Sequence, residues 1–309
     1  MEDSYHIPVL LHEAVEMLVT VRDGVYVDGT LGGGGHAERI CERIYPEGML
    51  IGIDQDADAQ QEARQRLARF MPRVMLVHDN TVFLRSILHS HALHDINGLL
   101  LDLGVSSYQL DEREKGFTFR SDAPLDMRMD VRQPLTAQRV VNEYDETSLA
   151  DLFFTYGEEH ASRRIARAVV AARSTEPIAS TKQLSAIIEQ CVGGKHLTKS
   201  LARVFQALRI EVNDELGRLE TILRDAVEAL ASGGRIVVIS YHSLEDRIVK
   251  NYFTDQAATS VPSGHKLIPD TPRVPALRLV TRKPIVASEE EQQRNPRSRS
   301  AKMRVAEKV

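Results

Sequence analysis

The chain has 309 residues, 42% hydrophobic and 27% charged, with a formal net charge of −5; this is ordinary for a globular protein with room for two domains. Its apolar runs are strand-length, short of the ~20 residues that a membrane-spanning helix needs. The acidic start, Met1-Glu2-Asp3-Ser4, lacks the basic and apolar regions of a secretory leader. Cys41 and Cys191 are far apart and are expected as reduced thiols in a cytoplasmic protein.

In chain order, Gly24 to Asp28 reads as a short strand and Gly29 to Gly35 as a glycine-rich turn. His36 to Tyr45 has helical spacing, with Ala37, Ile40, Cys41 and Ile44 on one face, and Pro46-Glu47-Gly48 ends it. Met49 to Ile53 is a second strand, closed by Asp54. Asp56 to Phe70 is a helix, Arg73 to Val77 a third strand and Thr81 to His89 a helix. Ile96 to Leu103 is a fourth, continuously apolar strand. Such runs suit parallel strands covered on both faces, and the alternation predicts a doubly wound, Rossmann-like α/β sheet.

The next convincing strand, Arg235 to Ser240, lies about 130 residues further on, far beyond a normal crossover. The gap is mostly helical: 148–156, 158–173, 181–190, 199–208 and 214–231. The expected organisation is a discontinuous α/β domain, 1–108 with 214–309, carrying an inserted all-helical substrate-recognition domain, 109–213. A helix follows near Leu244. Residues 261–300 form a Pro-, Arg- and Ser-rich tail, and Lys302 to Ala306 reads as a last strand.

The negative net charge is unevenly spread. Residues 261–309 hold eleven Lys/Arg against five Asp/Glu, and residues 160–210 hold nine against two. Segregated basic segments on an acidic chain are a candidate phosphate-binding face, with solvated helix surface as the plain alternative.

The strongest chemical signal is the loop from Val27 to His36, V-D-G-T-L-G-G-G-G-H, between the first strand and helix. A helix N-terminus behind a glycine turn offers free N–H donors and a positive dipole end to a pyrophosphate or a carboxylate. Gly32-x-Gly34-x-x-Ala37 fits the loose dinucleotide fingerprint. Asp54 ends the second strand, 22 residues after Gly32, where an acid accepts hydrogen bonds from ribose hydroxyls. This pattern serves nicotinamide and S-adenosylmethionine enzymes alike. Asp102 ends the fourth strand on the same edge and emerges from Leu99-Leu100-Leu101, so its carboxyl must be hydrogen-bonded or have a raised pKa. Ser240-Tyr241-His242-Ser243 follows the fifth strand. His242 is a candidate general base or substrate ligand, and Ser243 a candidate cap for the next helix. The run His89 to His94 lacks zinc-motif spacing, and no metal is expected.

At this point the chain resembles the MraW/RsmH family of small-subunit ribosomal RNA methyltransferases. The resemblance is carried by separated strings in order: His6-Ile7-Pro8-Val9-Leu10-Leu11 with Glu13, the loop from Asp28 to His36, Leu101 to Ser107 with Gln109-Leu110-Asp111, and Pro124 to Met129. Tyr156 to Glu159, Arg164 to Ala168, Phe205 to Ile210, His242 to Arg247 and Asn295 to Ser300 complete it. It implies a Rossmann-like methyltransferase domain with an inserted helical domain. It also implies methyl transfer from S-adenosylmethionine to N4 of a cytosine in the decoding region of 16S rRNA, within the small ribosomal subunit. Its cofactor contacts map onto Gly34, Gly35, His36, Asp54, Thr81, Asp102 and Gln109. Position 81 departs from the family, where an aromatic is common, and position 108 is Tyr where Pro is common.

An exocyclic amine is a poor nucleophile, because its lone pair is delocalised into the ring. It needs alignment with the methyl group and an acceptor for its hydrogen. The chain has no Pro-Pro pair of the sort many amino-methyltransferases place after the fourth strand. Asp102 and His242 are the candidate catalytic residues. A nicotinamide oxidoreductase, a methyltransferase for protein or small molecules, and a non-enzymatic assembly factor stay open from the residues alone, as does a homodimer; no membrane partner is expected.

Overall fold

The structure, a computed structural model, describes residues 8–104, 115–265 and 269–309. In chain order its elements are α1 (Leu11–Leu18), β1 (Val25–Asp28), α2 (Gly35–Arg43), β2 (Met49–Asp54), α3 (Ala57–Arg66), β3 (Val74–His78), α4 (Leu84–Ser90) and β4 (Ile96–Asp102). Then come α5 (Ala137–Glu143), α6 (Glu146–Thr155), α7 (Ser162–Arg173), α8 (Thr181–Val192), α9 (Leu197–Asn213), α10 (Glu215–Ala229), β5 (Leu230–Ser240) and α11 (Ser243–Gln256). The last are β6 (Ser260–Val261), β7 (Thr271–Pro272), β8 (Leu277–Leu279), α12 (Glu289–Arg294) and β9 (Lys302–Lys308). They fall into two compact units. One holds the described residues up to Gly104 with Arg218–Val309; the other holds those from Lys115 to Gly217.

The first unit is built on a seven-stranded sheet of order β3-β2-β1-β4-β5-β9-β8. β1 to β5 run parallel, and β9 is antiparallel to both β5 and β8. The apolar strands are buried on both faces because successive side chains alternate. Tyr26, Leu50, Leu100, Val237 and Ile239 pack on one side with Ala14, Leu18, Ala37 and Ile40 of α1 and α2. Val27, Ile51, Leu99, Leu101, Ile236 and Val238 pack on the other with Leu84, Leu223, Ala226 and Val249 of α4, α10 and α11. The strand order reverses between β1 and β4. Open α/β sheets bind ligands at the carboxyl ends of strands beside such a switch point, and here Asp28, Asp54 and Asp102 end β1, β2 and β4.

Several boundaries differ from the sequence expectation. β5 begins at Leu230, not Arg235, because pairing to β4 jumps from Ile96↔Leu230 to Gly98↔Arg235 through a bulge with no apolar alternation to reveal it. The helix expected over 56–70 stops at Arg66 and continues as a 3-10 turn, Ala68–Phe70. The one expected over 81–89 opens as a 3-10 turn, Thr81–Phe83, capped by Asn80. α1 and α5 were not anticipated. In the basic tail, Arg304 and Lys302 of β9 lie 2.6 and 3.3 Å from Asp246 on α11. Burial alone would raise the Asp246 carboxyl; the two cations outweigh it and hold the carboxyl below its usual range.

The second unit is helical around Leu149, Phe153, Ile165, Val169, Leu184, Ile188, Val204 and Leu208. Phe119 meets Phe205 edge-on at 5.6 Å. Buried Asn213 accepts from the Met129 N–H at 2.8 Å and donates to the Met127 carbonyl at 2.8 Å, which ties the 124–129 string to the end of α9. α9 also passes close to the turn after α6: the Gln206 amide donates to the Tyr156 carbonyl at 2.9 Å. A Cβ on Gly157 would sit 2.6 Å from the Phe153 oxygen and 2.7 Å from the Arg203 oxygen, both backbone atoms unable to yield. Gly157→Ala should therefore destabilise this unit by about 2 kcal/mol, an overpacking cost. Thermal or urea unfolding checks it; unchanged stability would mean that the two backbones are not this close.

Candidate functional site

The glycine loop is held by strand-end hydrogen bonds. The Gly29 N–H donates to the Leu100 carbonyl at 2.9 Å and the Leu31 N–H to the Ile53 carbonyl at 3.1 Å. The Thr30 hydroxyl accepts from the Asp102 N–H at 2.6 Å, and the buried Thr81 hydroxyl donates to the Gly29 carbonyl. Gly34 is the N-cap of α2, with φ +79 and a virtual Cβ 3.3 Å from Ala63. Only glycine reaches that left-handed conformation without strain so close to a neighbouring helix. No side chain caps α2, so its first N–H groups stay available to an anionic ligand group.

Three carboxyls surround this loop. Asp54 accepts from the Gly32 N–H at 2.8 Å through one oxygen and from the Asp56 N–H at 2.9 Å through the other. Burial raises its pKa to about 6 against those two bonds. Asp28 is 1% exposed; one oxygen accepts from the Thr30 N–H at 3.2 Å, and the other, Oδ2, is buried with no hydrogen-bond partner. Burial pushes its pKa to about 6. Asp102 accepts from the Tyr241 hydroxyl at 2.7 Å through Oδ1, while its Oδ2 lies 3.8 Å from His36 Nδ1. Burial raises it to about 7 against the Tyr241 hydrogen bond.

His36 offsets these acids only in part: its charge lowers the Asp28 pKa, but burial disfavours that charge. Burial lowers its pKa, and its Nε2 donates to the Val9 carbonyl at 3.0 Å, which turns Nδ1 toward Asp102. Among the described residues no lysine or arginine is ion-paired with Asp28, Asp54 or Asp102. The site therefore concentrates carboxyls in a dry environment with no lysine or arginine counter-charge among the described residues, and with His36 as a partial offset at Asp28. Such an arrangement suits a ligand that brings its own positive charge more than one that brings a pyrophosphate.

Of the residues singled out from the sequence, Gly34, Gly35, His36, Asp54, Thr81 and Asp102 all lie at this strand-end edge. Gln109 lies outside the described residues. His242, not Ser243, caps α11: its Nδ1 accepts from the Glu245 N–H at 3.5 Å, and the Glu245 carboxylate accepts from the Tyr241 N–H at 2.9 Å. His242 Nδ1 thus serves the helix start, while its buried Nε2 has no hydrogen-bond partner and lies 3.2 Å from Glu245 Oε1. Asp28, Thr30 and Tyr241 were missed. Asp28 closes an apolar strand just as Asp54 and Asp102 do, which was a usable signal; Tyr241 gave none beyond its place beside His242.

The sequence profile of the MraW methylase family matches residues 3–309. A relative from Dehalococcoides mccartyi, described as ribosomal RNA small subunit methyltransferase H, is 49% identical over 310 residues, covering 98% of this chain and 86% of its own length. Proteins of the same description from Heliobacterium mobile and Streptococcus equi are 48% and 46% identical, each covering 99% of this chain and 100% and 98% of their own.

The raised carboxyls give two expected outcomes. An acid whose folded pKa is raised from 3.8 to about 6 keeps a proton that the unfolded chain has released. Stability is therefore lost as pH rises through that window and stays lost above it. Asp28→Asn removes this cost and should stabilise the ligand-free protein at pH 7.5 by on the order of 2 kcal/mol, with a gain that shrinks toward pH 4. A variant that is less stable at pH 7.5 would contradict the assignment. Second, a cationic ligand binding beside these acids favours their ionised form. Affinity for S-adenosylmethionine should rise several-fold between pH 6 and pH 8 by titration calorimetry; a flat profile would show that the carboxyls do not sense the ligand.

Proposed function

We propose, from the premise that this chain belongs to the MraW methylase family, that it methylates N4 of a cytosine in the decoding region of the small-subunit ribosomal RNA. It is a methyltransferase and its cofactor is S-adenosylmethionine. The residues present fit that group: an unpartnered Asp28 oxygen, two further raised carboxyls and an uncapped helix start suit a ligand with two positive centres and one carboxylate. The residues that would hold it are Gly34, Gly35, His36, Asp54, Thr81, Asp102 and Gln109, with Asp28 added from the structure. When bound, it supplies an electrophilic methyl group on a sulfonium.

The RNA assignment draws support from relatives of this chain, 46–49% identical over nearly its whole length, that carry the description of small-subunit rRNA methyltransferases. The observation that carries the amine chemistry is the asymmetry of Asp102. Tyr241 occupies Oδ1, while Oδ2 is 3.8 Å from His36 Nδ1, beyond hydrogen-bond distance. That oxygen is open to accept a hydrogen bond from an exocyclic amine as positive charge develops on it. The Tyr241 hydroxyl favours the ionised form of Asp102 against burial. His242 belongs with the positioning residues, since its ring fixes the start of α11 immediately after Tyr241. The target base, if paired in the RNA, must be turned out of its stack to reach any such acceptor.

Asp102→Asn should lower kcat on small ribosomal subunits by about 100-fold, the usual loss when a transition-state hydrogen-bond partner is removed. Tyr241→Phe takes away the bond that holds the Asp102 pKa down to about 7. The acid limb of its pH–rate profile should move to higher pH. Normal turnover by Asp102→Asn would sink the assignment. An unmoved acid limb in Tyr241→Phe would remove Tyr241 from the site.

A further inference from the structure

The nine basic residues between 160 and 210 divide by what they touch. Arg203 lies 3.7 Å from Glu159, Arg209 2.8 Å from Glu215 and Arg167 3.5 Å from Glu146, and Arg173 donates to the Val141 carbonyl at 2.7 Å. These four have partners within the helical unit. Lys182 stands exposed at the first turn of α8. The remaining four, Arg163, Arg164, Lys195 and Lys199, are exposed and have no acidic partner among the described residues.

These four converge. Arg163 and Arg164 open α7, Lys195 sits in the turn between α8 and α9, and Lys199 lies one helical turn further on. The Cys191 thiol at the end of α8 is 3.8 Å from the Arg164 carbonyl, which brings the end of α8 onto the start of α7. The Arg203–Glu159 pair, one turn after Lys199, and the Gln206–Tyr156 bond bring the middle of α9 against the segment that leads into α7. His160 and His196 are exposed at the same end. The acids in this stretch are Glu176, beyond the far end of α7, and Glu189, one turn before the end of α8. Before α7, Glu158 is half-buried, and Glu159 is buried beside Arg203. An ordinary solvated helix face carries interleaved acids that offset its bases; at this end four exposed cations face one exposed acid, Glu189.

We propose that this end of the helical unit, where α7 begins, α8 ends and α9 begins, is a docking surface for the phosphate backbone of RNA, with Arg163, Arg164, Lys195 and Lys199 as the contacts. This rests on RNA being the substrate, as proposed above. Clustered cations without internal partners release counterions from a polyanion at little cost to the fold, so they supply affinity and salt dependence without base specificity.

The test is filter binding of a small-subunit rRNA transcript to the full-length protein between 50 and 200 mM salt. Wild type is compared with the pairs Arg163→Gln/Arg164→Gln and Lys195→Gln/Lys199→Gln, and with Lys182→Gln at the opposite end of α8. Each pair should weaken binding on the order of tenfold at 0.15 M salt and reduce the slope of log K against log salt by about 1.5 to 2. S-adenosylmethionine affinity and melting temperature should stay unchanged, and Lys182→Gln should bind as wild type does. Pairs that bind like wild type, or a Lys182→Gln loss as large as theirs, would overturn the surface. Methyl transfer to RNA with unaffected pairs removes the surface and leaves the functional reading standing. RNA held through these residues with no methyl delivered to it leaves the surface and removes the functional reading. A wild-type protein that does not bind the transcript overturns both.

Discussion

Three carboxyls at the ends of adjacent parallel strands, buried around one glycine loop with no lysine or arginine paired to them among the described residues, are the constraint on which the rest of the site depends. The strand order places Asp28, Asp54 and Asp102 together, since β2, β1 and β4 are neighbours and all end at the same edge. Burial then holds all three near neutrality in pKa, at about 6, 6 and 7. A fold can retain such a cluster only if its ionisation cost is tolerated in the free protein and offset when a positive ligand arrives. The local hydrogen bonds serve that end unequally. Asp54 has both oxygens occupied by backbone N–H groups, Asp102 has one taken by Tyr241, and Asp28 has one oxygen with no partner.

The same economy runs through the chain's positive charge. Its net charge of −5 hides two basic segments of different use. In the tail, Lys302 and Arg304 meet Asp246, and Arg278 meets Glu307 alongside Arg235, so much of that segment fastens the edge of the sheet. In the helical unit, four cations have partners within the unit and four are exposed at one end without acidic partners among the described residues. Composition alone does not separate these uses, because a paired arginine and an unpaired one read identically in sequence.

The parallel sheet was legible because its strands are continuous apolar runs closed by polar residues, and Asp54 and Asp102 were legible as the closing residues. Asp28 closes β1 in the same way but was masked by the glycines that follow it. α1 carries Leu11, Ala14, Val15 and Leu18 at helical spacing, and seven-residue α5 carries a shorter stripe, Ala137, Val140 and Val141, behind its Thr136 cap; both signals were present but unused. The bulge that starts β5 early and the antiparallel course of β9 are tertiary outcomes without a local pattern. The capping of α11 by His242 was hidden because serine is the commoner cap and stands next to it. Tyr241 acquires its part only from a strand pairing that brings it to a residue 139 positions away.

The most direct test of the account is to identify the methylated atom. Purified protein would be incubated with methyl-labelled S-adenosylmethionine and small ribosomal subunits from a strain lacking the gene, and the digested RNA would be analysed by mass spectrometry. The account predicts label in N4-methylcytidine, alone or also 2′-O-methylated, from one site in the decoding region. Label in a different nucleoside, or in protein with the RNA unmodified, would contradict it.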